Sequence, residues 1–274
     1  MPFISSVFYY PDKKTYILPE QLGLYKEDIL LTAKDGVKLH LLRIYKHNQE
    51  NDKNTVIFQF HGNAQNLSSH FSILSWLVDE GYELFSYDYR GYGKSGGSPN
   101  PKDINSDSIL ALIHVIDYCK KNNKKLIIYG QSLGGAISVR AFREIEDRNN
   151  IILFILEGTF PSYRMVSKTI LQKILPFPIP YIASFFVDSS YSSENYIKNI
   201  SPIPLFVIHE KGDPVVPFSN GREVFRLGKE PKIFWELNSD GHISWMEYGR
   251  NSEARKFLNL INNLVLTGKF SEEY

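Results

Sequence analysis

The chain has 274 residues, a formal net charge of +1, and 43% hydrophobic against 22% charged residues. Such a composition supports a sizeable buried core and excludes the basic footprint of a nucleic-acid-binding protein. A single cysteine, Cys119, excludes an intramolecular disulfide and reads as a half-buried structural thiol in a reducing compartment.

The opening stretch MPFISSVFYYPDKK has neither a basic n-region nor a long apolar core, so as written it is not a signal peptide. Residues 27–32 and 37–45 predict a hairpin around AKDG. Strands are then predicted at TVIFQF (55–60), ELFSYDY (83–89), KLIIYG (125–130), IILFILEG (151–158), PLFVIHE (204–210) and KIFWEL (232–237). The inner ones are almost continuously apolar, as strands buried on both faces should be. Ile109, Leu112, Ile113 and Ile116 recur at helical spacing, as do Phe257, Leu258, Ile261, Leu264 and Val265. Lys120, Lys121, Lys124 and Lys125 read as a solvated loop. The alternation predicts one α/β domain over residues 1–274, a mostly parallel sheet flanked by helices, with ligands at the carboxyl ends of its strands.

Residues 161–190, PSYRMVSKTILQKILPFPIPYIASFFVDSS, interrupt that alternation. They are expected to form a small helical lid, with Phe177, Ile179, Tyr181 and Phe185 as candidate substrate contacts, or else a plain connecting helix. The longest uncharged apolar run, Ile174–Val187, holds three prolines. It is shorter than the roughly 20 residues a membrane-spanning helix needs.

Ser132 lies in Gly130-Gln131-Ser132-Leu133-Gly134, between a predicted strand and the helical AISVRAFREI. That context is what a nucleophile elbow requires, and it aims the Leu133 N–H into an oxyanion hole at a helix N-terminus. A serine hydroxyl needs a base, and the base an orienting carboxylate. His40, His47, His70 and His114 lie outside the strand-end loops that follow the elbow, His61 suits a loop-shaping role, and His209 closes a strand. His242, in NSDGHISW after the last strand, is the expected base. Asp213, in HEKGDPVVP, is the expected acid in the chain order Ser, Asp, His, with Glu157 the alternative and Asp240 a turn residue. HGNAQN after strand 55–60 supplies Gly62 for a tight turn and the Asn63 N–H as second oxyanion donor.

GYGKSG (91–96) matches a dinucleotide-binding pattern, but Gly97, Ser98, Pro99 and Pro101 follow it, leaving no helix start for a pyrophosphate. A P-loop fails as well, because Asp88 stands where its first glycine belongs. With no metal-ligand spacing either, neither cofactor nor metal is expected.

FHGNAQN, FSYDYRGYGKSGGSP, YGQSLGG, GDPVVP and GH together resemble the α/β-hydrolase superfamily over essentially the whole chain. They look like one subgroup of it, which contains monoacylglycerol-lipase-like and serine-aminopeptidase-like hydrolases and the α/β-hydrolase-domain proteins that remove palmitate from proteins. The resemblance implies Ser132 as nucleophile, Asp213 as acid, His242 as base and Asn63 and Leu133 as oxyanion donors, with Tyr87, Asp88 and Arg90 bracing a structural turn. It implies cleavage of carboxylic esters or thioesters of acyl or lipid-like substrates. A peptidase or amidase of the same fold and a non-catalytic binding protein are the alternatives. Glu210 stands where many relatives have glycine and is expected to reshape the loop holding Asp213. Relatives often carry an anchor or lipid-attachment segment ahead of an FYYPD-like start. The expectation is thus a soluble, cytoplasmic chain as written, meeting membranes through such a leader or through 161–190. The expected partner is an acyl-bearing small molecule and not a nucleic acid; the oligomeric state stays open.

Overall fold

The computed structural model describes residues 8–47, 50–246 and 249–269. The first seven residues of the opening stretch lie outside them. The strands are β1 (Tyr10–Pro11), β2 (Tyr25–Thr32), β3 (Lys38–Tyr45), β4 (Thr55–Phe60), β5 (Ala64–Gln65), β6 (Glu83–Tyr87), β7 (Lys125–Gln131), β8 (Ile151–Glu157), β9 (Leu205–Glu210) and β10 (Lys232–Leu237). The helices are α1 (Leu67–Leu74), α2 (Trp76–Asp79), α3 (Pro101–Lys121), α4 (Leu133–Phe142), α5 (Tyr163–Leu171), α6 (Ile179–Phe185), α7 (Phe218–Leu227) and α8 (Ser252–Thr267).

Eight strands form one sheet in the order β10-β9-β8-β7-β4-β6-β3-β2. Within it, β3 alone runs against the rest, so the predicted hairpin is β2–β3 and the remaining pairs are parallel. Side-chain alternation explains why both faces are covered. Val56, Phe58 and Phe60 point to one side, where α3 and α4 pack. Ile57, Ile127 and Tyr129 point to the other, under α1 and α8. β6 stops at Tyr87 because Asp88 turns the chain: its carboxylate accepts the Leu67 and Lys94 N–H groups at 2.8 and 3.2 Å. Arg90 clamps the same turn, donating from Nε and Nη2 to both oxygens of the buried Asp107 at 2.6 and 2.8 Å.

The chain leaves β4 toward β6 on one side, crosses back over β4 to β7, and leaves β7 toward β8 on the other side. The crevice above β4 and β7 is therefore the switch point of the sheet, where open α/β folds gather ligands. Phe60 pairs with Gly130 across these strands, which places the loop after β4 beside Ser132. A small parallel ribbon, β1 with β5, ties the start of the described chain to that loop. Cys119 is fully rather than half buried, and burial pushes its thiol up to about 12, where it is unreactive.

Candidate active site

Ser132 caps α4 at φ 51° and ψ −120°, a conformation that side chains avoid unless their surroundings enforce it. The enforcement is visible on both sides of the residue. The Ser132 N–H donates to the Glu157 carbonyl at 2.9 Å, and its own carbonyl accepts from the Thr159 hydroxyl at 2.6 Å. A Cβ on Gly130 would lie 2.6 Å from the Gly135 Cα, and one on Gly134 would lie 2.0 Å from the Phe60 carbonyl oxygen. Only glycine lets α4 start in backbone contact with β4. The Leu133 N–H, first in the helix, has no intrahelical acceptor by position.

Asn63 stands opposite. Its side-chain oxygen accepts the Tyr10 N–H at 3.0 Å and the Tyr92 hydroxyl at 3.1 Å, which fixes the loop. Ser132, Asn63 and Leu133 together line a cavity of about 390 Å³. Its apolar wall comes from Val166, Ile170 and Leu171 on α5, from Val187, Val215 and Val216, and from Phe8, Tyr10 and Phe160. Phe177, Ile179, Tyr181 and Phe185 do not line it; all four face solvent. The reason is that α5, capped by the Ser162 hydroxyl on the Met165 N–H, lies over the cavity, while α6 rides on the outer side of α5. Gln172 donates to the Tyr181 hydroxyl, and the Lys168 ammonium sits 4.1 Å from the Tyr181 ring centre.

His242 Nδ1 donates to Asp213 Oδ2 at 2.7 Å. The other carboxylate oxygen accepts the N–H groups of Val215 and Val216, each at 2.8 Å, so the acid is buried and aimed by its own turn. His209, kept neutral by burial, donates to the Val216 carbonyl and supports that turn. A Cβ on Gly158 would lie 3.2 Å from His242 Cε1. Gly158 sits between the two residues that bind the Ser132 backbone, so His242 and Ser132 flank the same strand end.

Glu157 meets Trp245 and not His242. It accepts from the Trp245 indole at 2.6 Å, Gln131 at 2.8 Å and Tyr129 at 3.0 Å, and burial pushes its carboxyl up to about 7 despite these donors. Glu210 holds the loop of His242 as well as bordering that of Asp213. Its side chain accepts the Ser239 hydroxyl at 2.7 Å and the N–H groups of Gly241 and Ser244 at 3.1 Å each, bracketing His242. Between those anchors Ile243 is held at φ 61°, which is costly for a β-branched residue. Sequence reasoning missed this clamp. The Glu210→Ala variant should lower kcat about a hundredfold with KM little changed, because the histidine loop loses its anchors and relaxes. Steady-state kinetics check it; an unaltered kcat would remove Glu210 from the positioning of His242.

His70, set aside on sequence grounds, lies at the site. A Cβ on Gly62 would fall 3.1 Å from His70 Cε1 and 3.7 Å from Ser132 Cβ, and His70 Nε2 donates to the Ala64 carbonyl at 2.8 Å. Its ring stacks on His61, whose pKa burial lowers to about 3. His61 folds neutral, so its stabilisation is complete above the unfolded pKa near 6.5 and is lost as pH falls toward 3. Between pH 7.5 and 4.5 the stability advantage of wild type over His61→Phe should shrink by about 3 kcal/mol. Urea midpoints at the two pH values test this, and a constant gap would contradict it.

The family model described as serine aminopeptidase, S33, matches residues 51–200. An uncharacterized protein, YfhR, from Escherichia coli (strain K12) is 38% identical over 237 residues, covering 86% of this chain and 79% of that protein. Lysophosphatidylserine lipase ABHD12 of Macaca fascicularis is 28% identical over 193 residues, covering 65% of this chain and 46% of that one. Among solved structures, the Pyrococcus furiosus esterase Pf2001 superimposes with a TM-score of 0.70 at 20% identity, covering 92% of this chain and 95% of its own. The family match contains Ser132, Asn63 and Leu133, whereas Asp213 and His242 lie beyond its end.

Proposed function

The chain is an α/β-hydrolase of the serine aminopeptidase S33 family, and from that premise we propose that it cleaves carboxylic esters or thioesters of acyl or lipid-like substrates. The observation that carries this reading is Ser132, strained at the elbow and set in the wall of an apolar cavity. His242 takes the Ser132 proton as the oxygen attacks the acyl carbon, and Asp213 stabilises the imidazolium. The N–H groups of Asn63 and Leu133 hold the oxyanion, each contributing about 3 kcal/mol. Collapse of the tetrahedral species breaks the bond to the leaving alkoxide or thiolate, which takes the proton from His242. Water, deprotonated by His242, then releases the acid from Ser132. The acyl chain lies along α5, where each buried methylene contributes about 0.8 kcal/mol.

The family description also favours an aminopeptidase. That reaction needs an anion to hold a substrate ammonium, and the described residues lining the cavity include no carboxylate. The names of the lipase and esterase relatives lean the same way. Hydrolysis of p-nitrophenyl esters from acetate to palmitate tests the proposal, together with labelling by a fluorophosphonate. Turnover should rise with chain length until the cavity is filled, with one covalent adduct on Ser132. If neither turnover nor adduct appears, the fold serves as a binding module instead.

A further inference from the structure

The segment between β8 and β9 breaks the usual relation between burial and polarity. On α6 the buried positions are Pro180 and Ser184, while Ile182 is 57% and Phe185 72% exposed. Phe177, at 82%, precedes the helix and Phe186, at 71%, follows it. A helix facing water carries its apolar side inward; this one carries it outward. Elsewhere exposed apolar residues such as Leu30 and Leu266 stand far apart in sequence, whereas here Ile174, Phe177, Ile182, Phe185 and Phe186 crowd into thirteen residues. Contiguous patches of that kind mark interaction surfaces.

Charge selects the occupant. From Pro161 to Val187 the charged residues are Arg164, Lys168 and Lys173, all cationic, in a chain whose net charge is only +1. Asp188 follows as the first acid. The Arg164 guanidinium lies 5.7 Å from the Phe185 ring centre, and Lys173 donates to the Pro214 carbonyl, which holds these cations at the rim of the patch. Lys102 adds another along the same edge, in a depression shared with Arg164, Phe185 and Phe186, where Asp188 is the one acid against two cations. Protruding rings inside a cationic rim match an anionic lipid surface, where rings enter the acyl boundary and ammonium groups meet headgroups. Among the described residues no helix is long and apolar enough to cross a membrane, so the contact is one of lying on the surface.

The patch also runs into the cavity. Ile170 and Val215 belong both to the exposed apolar set and to the cavity wall. We propose that α6 and its flanking turns dock this protein on anionic bilayers, with the cavity mouth opening toward the lipid. Docking rests on the surface alone; that a lipid acyl chain then enters rests on the ester-hydrolase reading above.

The test is co-sedimentation with phosphatidylcholine vesicles, with and without about one-third phosphatidylglycerol, which reads attachment without reading hydrolysis. Wild type should sediment with the anionic vesicles and be released by high salt. Lys168→Glu/Lys173→Glu should weaken attachment by at least about thirtyfold. Phe177→Ser/Ile182→Ser/Phe186→Ser should abolish it, a drop of about a hundredfold, while circular dichroism melting and p-nitrophenyl acetate turnover stay unchanged. Equal sedimentation of wild type and variants would overturn the proposal, as would no attachment of wild type. A wild type that is dimeric by light scattering, with the aromatic variant monomeric and neither bound to vesicles, would overturn it in favour of a second copy of the chain. If hydrolysis of every ester fails but attachment follows the pattern given, docking stands and the ester reading falls.

Discussion

Replacing Ser132 with alanine is expected to reduce ester turnover roughly a millionfold, to the level left by the oxyanion donors and binding alone. The fold should survive, because the bonds that hold residue 132 are made by its backbone to Glu157 and Thr159 and not by its hydroxyl. A companion variant separates chemistry from strain. Ser132→Gly should lose turnover equally yet gain about 1–2 kcal/mol of stability, since glycine occupies positive φ without penalty. Kinetics and urea unfolding of the two variants check both halves. Residual turnover within tenfold of wild type would remove Ser132 as nucleophile.

Asp213→Asn is expected to lower kcat about ten-thousand-fold. The carboxamide can keep an acceptor toward the Val215 and Val216 N–H groups, so the turn should keep its shape. Its NH2 then faces His242 Nδ1, which must lose its proton to accept a bond, leaving Nε2 protonated and unable to take the Ser132 proton. The substitution changes a tautomer and not a position. KM should therefore move little while kcat collapses, and a KM-dominated loss would assign Asp213 to substrate binding.

The elbow and the strands were legible because each rests on a local rule: unbroken apolar runs for doubly buried strands, and glycines where backbones touch. TVIFQF and KIFWEL came out with their observed bounds. What escaped depends on contacts between distant residues. Two residues of β1 carry no period, yet their pairing with β5 delivers Phe8 and Tyr10 to the cavity. The lid aromatics drew attention through their number, but α5 is the helix that covers the cavity, and its Val166/Ile170 spacing was the signal to follow. Glu210 was noticed as unusual at the right place. That it reaches Ser239, Gly241 and Ser244, some thirty residues on, follows from β9 and β10 lying side by side.

Part of the cavity wall is written outside the stretch of chain that bears the serine. Phe8 and Tyr10 precede the region matched to the family, and Val215 and Val216 follow it. Inheritance of the elbow therefore does not entail inheritance of what it acts on. Lineages that keep residues 51–200 are free to drift in acyl preference at these four positions, and exchanging only those side chains between relatives would shift selectivity while Ser132, Asp213 and His242 stay in place.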